Sequence, residues 1–225
     1  MGKKFFVTGT DTDSGKTLCT SGLLAAAKKQ GLSTLGLKPI ASGCEETPEG
    51  LRNSDALALM AQTTVDVEYE QINPITFAPA IAPHIAALQL NKPLSSDRIV
   101  GLIRGTLMTK RADLVCVEGA GGWRVPLNPR EHLSQVPREL QLPVIVVVGM
   151  KLGCINHAVL TVEAIQRDGL TVAGWIANKV DPDMSVYEEN LMTLRTLIHA
   201  PLLGEVPFLE EPTAENAAEF LTLPE

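Results

Sequence analysis

The chain has 225 residues, of which 45% are hydrophobic and 20% are charged, and its formal net charge is −7. This length and apolar content suit one domain with a sizeable core, although two small domains are an alternative. The negative charge argues against broad, non-specific binding to nucleic acid, so we expect no nucleic-acid partner.

The apolar stretches are too short to target the chain to a membrane or to cross one. The first, Phe5–Val7, follows two lysines and enters a polar loop, which predicts a β-strand rather than a signal peptide. The longest, Leu142–Met150, is well below the roughly 18–20 residues of a membrane span. Four widely spaced cysteines form no CxxC pair and no zinc pattern. We therefore expect reduced thiols, a cytoplasmic protein and no membrane partner.

Six apolar runs predict strands that are covered on both faces. In Val144–Val148 the hydrophobicity is continuous rather than alternating, as in the buried strands of parallel sheets. The six predicted strands are Lys4–Thr8, Thr34–Lys38, Asp113–Glu118, Pro143–Val148, Thr171–Asn178 and Leu202–Val206.

Helical patterns lie between these strands, and the alternation implies a mostly parallel sheet with right-handed crossovers. Segment 43–93 is rich in proline and predicts loops and short helices over the carboxyl edge of the sheet, not a second domain. Residues 1–225 then form one α/β domain, and the acidic tail after Glu210 carries no clear local pattern. The predicted helices are Lys16–Gln30 with Gly31 as its cap, Ser54–Ala61, a helix capped by Ser96 and Asp97 that ends near Lys110, Ile155–Arg167 and Ser185–Ile198.

A glycine-rich loop, GTDTDSGKT at Gly9–Thr17, joins the first predicted strand to the first predicted helix. It has one residue more between its glycines than the pattern G-x-x-x-x-G-K-[ST], but its context is that of a P-loop. Backbone N–H groups of such a loop point at phosphates. Lys16 would neutralise the β- and γ-phosphate oxygens, and the Thr17 hydroxyl would reach Mg²⁺. The loop predicts a P-loop NTPase fold that binds a nucleoside triphosphate; the alternative is a strand–turn–helix with a chance GKT.

Charged residues end two of the predicted strands. Glu118 precedes the run Gly119–Gly122 and is placed to hold Mg²⁺, the alternative being a solvated acid in a glycine-rich turn. Lys38 would face the same cleft and neutralise charge in a transition state, unless its ammonium merely reaches solvent at a strand end. Ser42 is close enough in sequence to bind a substrate there. Asp55 begins a helix, where it has either a role in the cleft or a favourable interaction with the helix dipole.

Two further segments follow strands at the same edge. Segment 153–157 starts a helix whose free N–H groups suit a carboxylate; His157 is interpreted as structural, and Cys154 has no base partner that would make it a nucleophile. Asn178 and the Pro207–Phe208 turn would bracket a purine base, or else form an ordinary turn and a core aromatic.

Together these motifs resemble the dethiobiotin synthetase family, and the resemblance extends over almost the whole chain. No single motif is specific, but the combination is. The matching segments are FVTGTDTDSGKT at Phe6–Thr17, GLKPIASG at Gly36–Gly43, TPEGLRNSDALAL at Thr47–Leu59, VEGAGGW at Val117–Trp123, LPVIVVVGMKLGCINHA at Leu142–Ala158, GWIAN at Gly174–Asn178 and PLLGEVPFL at Pro201–Leu209.

The resemblance implies an ATP-dependent ligase of biotin biosynthesis. Such an enzyme joins CO₂ to 7,8-diaminopelargonate and hydrolyses ATP to ADP and phosphate. One substrate amine becomes a carbamate, the carbamate takes the γ-phosphoryl group to give a carbamic–phosphoric anhydride, and the second amine closes the cyclic urea. Two alternatives are a paralogue that acts on another amine, and a P-loop ATPase that serves as a switch and is not a ligase.

The resemblance also implies roles for individual residues. Thr12, Lys16 and Lys38 would be catalytic, stabilising the carbamate and the phosphoryl group in transfer. The residues implied to bind ATP are Asp13, Ser14, Gly15, Lys16, Thr17, Leu18, Asp55, Glu118, Gly119, Ala120, Gly121, Asn178, Lys179, Pro207, Phe208 and Leu209.

Metal and substrate roles follow in the same way. The resemblance implies that Thr17, Asp55 and Glu118 hold Mg²⁺, directly or through water, and that Ser42 binds the diamine. It further implies a homodimer in which the substrate carboxylate reaches Gly153, Cys154, Ile155 and Asn156 of the partner subunit.

The chain departs from the family pattern at three places. Lys179 stands where relatives often have Asp, and Phe208 where some have Trp. Asn190 stands where relatives often have a tyrosine that helps to bind the carboxylate, with Tyr187 one turn earlier.

Overall fold

A computed structural model describes residues 2–225, and six of its strands form one parallel sheet in the order β12-β11-β10-β1-β7-β2. Six shorter strands form three separate pairs, β3 with β6, β4 with β5 and β8 with β9. The strands are β1 (Lys3–Gly9), β2 (Thr34–Leu37), β3 (Ile40–Ser42), β4 (Glu45–Thr47), β5 (Gly50–Arg52), β6 (Ile75–Phe77), β7 (Leu114–Glu118), β8 (Pro126–Asn128), β9 (Glu131–His132), β10 (Val144–Met150), β11 (Val172–Lys179) and β12 (Leu202–Val206).

Helices cover both faces of the central sheet. One face packs on the first and last helices and the other on α5, α7 and α8, as the membership of the two main hydrophobic clusters indicates. The helices are α1 (Lys16–Lys29), α2 (Ser54–Ala61), α3 (Tyr69–Ile72), α4 (Pro83–Gln89), α5 (Ser96–Thr109), α6 (Gln135–Leu140), α7 (Cys154–Arg167), α8 (Tyr187–Leu197) and α9 (Ala214–Ala218).

Strand β10 is apolar at every position because both of its faces are buried. Val144, Val146 and Val148 pack into one hydrophobic cluster, whereas Ile145 and Val147 pack into the other. Because successive side chains of a strand point to opposite faces, a strand with helices on both sides needs apolar residues at every position.

The six long predicted strands are confirmed, with small shifts at their ends. The strand that was predicted to end at Lys38 ends at Leu37, because the Lys38 N–H donates to the Ile72 carbonyl and leaves the sheet. The last predicted helix begins at Tyr187 instead of Ser185. Helix α5 is capped by Ser95, whose hydroxyl accepts from the Arg98 N–H, and not by Ser96 or Asp97.

The prediction for segment 43–93 was wrong in part. Short helices are present, but the segment also contains the hairpin of β4 and β5 and the strand β6, which pairs with β3. These strands have only three residues each, so they carry no periodic pattern that would reveal them in the sequence.

The tail after Glu210 folds back on helix α1. A methyl group added to Gly22 of α1 would lie 3.0 Å from the Ala217 side chain, so the two helices are in close contact. The Thr222 N–H donates to the Leu203 carbonyl, and Lys3 Nζ donates to the Pro224 carbonyl at 3.1 Å. The last residues therefore lie beside the first strand.

No helix within residues 2–225 has both the length and the apolar character needed to cross a membrane.

Candidate active site

The Gly9–Thr17 loop lies between β1 and α1, with Gly15 as the N-cap of the helix. Gly15 has φ +81°, and a methyl group there would lie 2.0 Å from Asn178 Nδ2, so both its backbone and its surroundings require glycine. No side chain of residues 2–225 caps this helix start. Its first N–H groups are thus available to an anion.

Lys16 is buried at the base of this loop. Its Nζ donates to the Asp11 carbonyl at 3.3 Å. Burial, together with the neighbouring Lys38 cation, lowers the pKa of Lys16, despite the opposing effect of nearby acids. An anion bound in the loop would offset that burial, which is the electrostatic basis for phosphate binding.

Lys38 and Glu118 form a buried ion pair next to Thr17, the last residue of the loop. Lys38 Nζ lies 2.6 Å from Glu118 Oε1 and 3.0 Å from Asp55 Oδ2, and it also donates to the Gly119 carbonyl. Burial acts to lower the pKa of Lys38, but Glu118 and Asp55 more than offset it, so the pKa is raised and the side chain is an ammonium. The Thr17 hydroxyl donates to the same Glu118 oxygen at 2.8 Å. Four predicted residues from four separate segments therefore form one cluster.

The oxygens of this cluster fit a magnesium ion. Glu118 Oε2 is buried and lacks a hydrogen-bond partner in the described chain, and the Thr17 hydroxyl and Asp55 carboxylate lie close by. Residues 2–225 contain no group of three or more His, Cys, Asp or Glu that could hold a metal alone. Mg²⁺ is typically bound through one or two carboxylates together with phosphates and water, so this donor set suits it.

A cavity of about 670 Å³ lies between the two walls. Ser42 lines it, and its hydroxyl oxygen is buried without a hydrogen-bond partner, as expected of a group that binds a ligand. The predicted site residues that line the cavity are Thr12, Asp13, Gly15, Lys16, Thr17, Leu18, Lys38, Ser42, Asp55, Ala120 and Gly121. Ser14, Glu118 and Gly119 are not in this lining.

Asn178 contacts the phosphate loop but is not among the residues that line the cavity. It is buried, and its Nδ2 donates to the Ser14 carbonyl at 3.0 Å. Asn178 pairs with Val206 across β11 and β12, so the turn Pro207–Leu209 begins beside it, with Phe208 half exposed. Lys179 Nζ lies 5.4 Å from the centre of the Tyr187 ring. The structure thus brings the residues predicted to bind adenine together beside the loop.

The predicted carboxylate site, residues 153–156, does not line the cavity of its own chain. It starts helix α7, and the preceding Leu152 is 90% exposed. Lys151 lies 3.3 Å from Asp11 of the phosphate loop, which ties the two loops together. Burial raises the pKa of the Cys154 thiol, which disfavours the thiolate form.

Several cavity residues were missed from the sequence. Ala80–Pro83, Asn53 and Val125 line the cavity beside the predicted residues. Asn53 could have been found, because it caps α2 two residues before Asp55 and its Oδ1 accepts from the Ala56 N–H. Ala80–Pro83 carry no such signal, since small apolar residues in an irregular segment are common in loops.

The parallel sheet, the loop after its first strand and the acid at the end of β7 define the class: this is a P-loop nucleotide-binding protein. Solved structures of that class share the fold. The septum site-determining protein MinD of Pyrococcus horikoshii aligns with a TM-score of 0.60 at 14% identity, over 100% of this chain and 87% of that one. A ParA family ATPase of Chlorobium tepidum aligns with a TM-score of 0.58 at 13% identity, over 98% and 91%. At such identities the likeness establishes the fold alone.

Sequence relatives are much closer. A family model described as an AAA domain matches residues 3–216. The ATP-dependent dethiobiotin synthetase BioD of Cellvibrio japonicus is 60% identical over 221 residues, 98% of this chain and 96% of that protein. The protein of the same name from Pseudomonas aeruginosa strain UCBPP-PA14 is 58% identical, over 97% and 96%, and BioD 1 of Escherichia coli is 51% identical, over 97% and 96%. The chain belongs to the ATP-dependent dethiobiotin synthetase family, which confirms the family that the motifs predicted.

Proposed function

We propose that the chain is an ATP-dependent ligase that forms dethiobiotin from 7,8-diaminopelargonate and CO₂. The observation that carries this proposal is the cluster of Lys38, Glu118, Asp55 and Thr17, which meets the phosphate loop at Thr17 and lies beside a cavity that the unpartnered Ser42 hydroxyl also lines. The relatives that bear the family name match the chain over nearly its full length, which supports the same activity here. The switch-ATPase alternative is not favoured.

In this proposal the phosphate loop binds the ATP phosphates. The N–H groups at the start of α1 and the Lys16 ammonium face the β- and γ-phosphates, and residues Asp13–Leu18 with Gly119–Gly121 surround them. Asn178, Lys179 and Pro207–Leu209 bind the adenine, which would lie beside the loop that Asn178 already contacts.

Thr17, Asp55 and Glu118 hold the Mg²⁺ ion in this proposal. When bound, the ion neutralises charge on the phosphates and orients them for transfer. The residues support this role because a hydroxyl and two carboxylates converge there, and the Lys38 ammonium that pairs with both carboxylates would have to leave them when the ion binds. The same ammonium would move toward the carbamate and the transferring phosphoryl group.

The diamine occupies the rest of the cavity. The Ser42 hydroxyl binds one amine, and Thr12 lies near the carbamate as it forms. Lys16 and Lys38 approach from opposite walls, so the anionic carbamate and the γ-phosphate would meet between two cations, which stabilises charge in the transition state.

We also propose a homodimer in which residues 153–156 of the partner subunit receive the substrate carboxylate. Their absence from the cavity lining of their own chain and the exposed Leu152 beside them support this arrangement. Residues 1–225 are proposed to act as one domain, since the strands of one sheet extend from Lys3 to Val206. A cytoplasmic location is proposed because the reaction consumes ATP and the four cysteines are free.

The test is to incubate the protein with 7,8-diaminopelargonate, bicarbonate, Mg²⁺ and ATP. We expect the cyclic urea by mass spectrometry and one ADP for each product. ATP binding without product would contradict the proposal, and turnover with another amine alone would indicate a paralogue.

The Lys38→Ala variant tests the cluster in the same assay. Loss of this charge should lower turnover by about 10²–10³, because a stabilising group is removed from the transition state. Lys92→Ala is the matched control, since Lys92 is exposed and lies outside this cavity. Near-normal turnover of Lys38→Ala, with melting curves confirming that it is folded, would remove Lys38 from the mechanism.

A further inference from the structure

Tyr69 is a buried tyrosine at the first residue of α3. Its hydroxyl accepts a hydrogen bond from the Asn53 N–H at 2.8 Å and donates one to Asn73 Oδ1 at 2.9 Å. Both hydrogen-bonding capacities of the phenol are therefore used, and both partners are buried. Tyr69 does not line the cavity, so nothing suggests that it touches a ligand.

Each partner of Tyr69 leads to a residue of the cavity wall. Asn53 caps helix α2, which carries Asp55 in its first turn, and its Nδ2 donates to the Ser42 carbonyl at 3.3 Å. Asn73 Nδ2 donates to the Lys38 carbonyl at 2.5 Å. One line of hydrogen bonds thus runs from Ser42 through Asn53, Tyr69 and Asn73 to Lys38.

The surroundings hold the Tyr69 ring in place. The Arg52 guanidinium lies 4.1 Å from the ring centre and also pairs with Glu70 at 3.2 Å. Burial raises the pKa of Tyr69, although the hydrogen bond from the Asn53 N–H opposes this, so the hydroxyl keeps the proton that it donates to Asn73. The ring thus has a fixed orientation and a fixed donor.

We propose that Tyr69 is a positioning residue, whose hydroxyl sets Lys38, Ser42 and Asp55 relative to one another on the cavity wall opposite the phosphate loop. This proposal rests on the proposed function for the roles of those three residues. It goes further in naming a residue that lies outside the cavity and acts through Asn53 and Asn73.

The variant Tyr69→Phe removes the hydroxyl and keeps the ring. We expect kcat to fall about tenfold, as is typical when an outer partner of a site is lost. The KM for ATP at saturating Mg²⁺ should stay within about twofold, because the phosphate loop on the other wall is unchanged. Calorimetry should find that the Mg²⁺ concentration for half-maximal ATP binding rises about tenfold, because Asp55 is displaced.

The double variant Tyr69→Phe/Asn73→Ala tests whether the two residues act as one line. If they do, the double variant loses no more activity than the worse of the two single variants; fully additive losses would contradict the proposal. Ile198→Val is the stability control, since it truncates a buried side chain at the end of α8, away from the cavity.

A merely structural role predicts a different result. Tyr69→Phe would then lower the melting temperature as Ile198→Val does, with kcat and the Mg²⁺ dependence unchanged, and the proposal would be overturned. If the wild type forms no dethiobiotin, the proposed function fails on its own. The Mg²⁺ titration of ATP binding then decides the role of Tyr69, because it needs no product.

Discussion

The two walls of the cavity are built in opposite ways. The phosphate loop is one continuous segment, Gly9–Thr17, whose form depends on glycine and on backbone N–H groups at a helix start. The facing wall collects Lys38, Ser42 and Asp55 from separate segments and joins them through buried side chains. The first wall is local in the chain, whereas the second exists only when distant segments pack together.

The two walls should also differ in how much their lysines contribute to the stability of the fold. Lys16 is held by a backbone carbonyl, so removing it leaves no buried acid without a partner. Lys38 is paired with the fully buried Glu118, so removing it leaves a buried charge unpaired. We therefore expect the two lysines to differ in what they contribute to stability even where both are needed for turnover.

The largest expected effect is the loss of turnover when either lysine is removed, and the two variants should differ in stability. Lys16→Ala should lower turnover by about 10²–10³ or more with a small change in stability. Lys38→Ala should lower stability as well, by roughly 3–5 kcal/mol, the typical cost of breaking a buried pair from one side. Urea unfolding of both variants beside the turnover assay tests this, and equal losses of stability would show that the walls do not differ.

The second prediction concerns the backbone of the loop. Gly15→Ala should weaken ATP binding about tenfold, equivalent to ~1.4 kcal/mol, because an added methyl group meets Asn178. Gly169→Ala is a close control: its φ of +80° nearly equals that of Gly15, yet a methyl group there meets nothing within 4 Å. Both variants should lose ~1–2 kcal/mol of stability from the left-handed backbone, and Gly15→Ala should lose more, because its methyl group also meets the buried Asn178. Calorimetry with ATP should separate them, and equal ATP affinities would disprove a role for the contact with Asn178.

The smallest expected effect is a pH dependence on the opposite wall. Burial acts to raise the pKa of Asp55, but Lys38 and the Thr17 hydroxyl more than offset it, so the pKa lies below 3.8. An acid whose pKa is lowered by folding stabilises the folded state. This stabilisation is fully present when the pH is above the pKa of the unfolded state, and it is lost as the pH falls through the pKa of the folded state. Asp55 is partly exposed, so the contribution should stay below about 1 kcal/mol.

Asp55→Asn tests this contribution. Its melting temperature should lie slightly below that of the wild type at neutral pH, and the two should converge as the pH falls below 3.8. Parallel curves over the whole range would mean that the Asp55 carboxylate contributes nothing through its charge.

The phosphate-loop wall could be predicted from the sequence almost completely. Its glycines, Lys16 and Thr17 are contiguous, and the strand and helix on either side have clear patterns. The six long strands could be predicted for the same reason. Lys38 and Glu118 were predicted to share one cleft because each ends a strand at the same edge of the sheet, whereas the motif resemblance was needed to link Asp55 to that site.

The support of the other wall could not be predicted. Nothing in the sequence near Tyr69 indicates that its hydroxyl joins Asn53 to Asn73, because such contacts depend on how loops pack in three dimensions. The three-residue strands β3 and β6 are too short to carry a period, although their pairing holds Ser42 in place. Ala80–Pro83 reach the cavity through the same packing.

The contact between Lys3 and the Pro224 carbonyl makes the chain a good candidate for circular permutation. Because both ends of the described chain meet on one side of the sheet, a short linker could join them without crossing the cavity. A circular permutant opened at the exposed Asn91–Pro93 turn would then place β1 and its loop in the interior of the polypeptide. Glu118 would then leave the ribosome before the phosphate loop, whereas in the present order it follows the loop, and its contacts with Thr17 and Lys38 would stay the same.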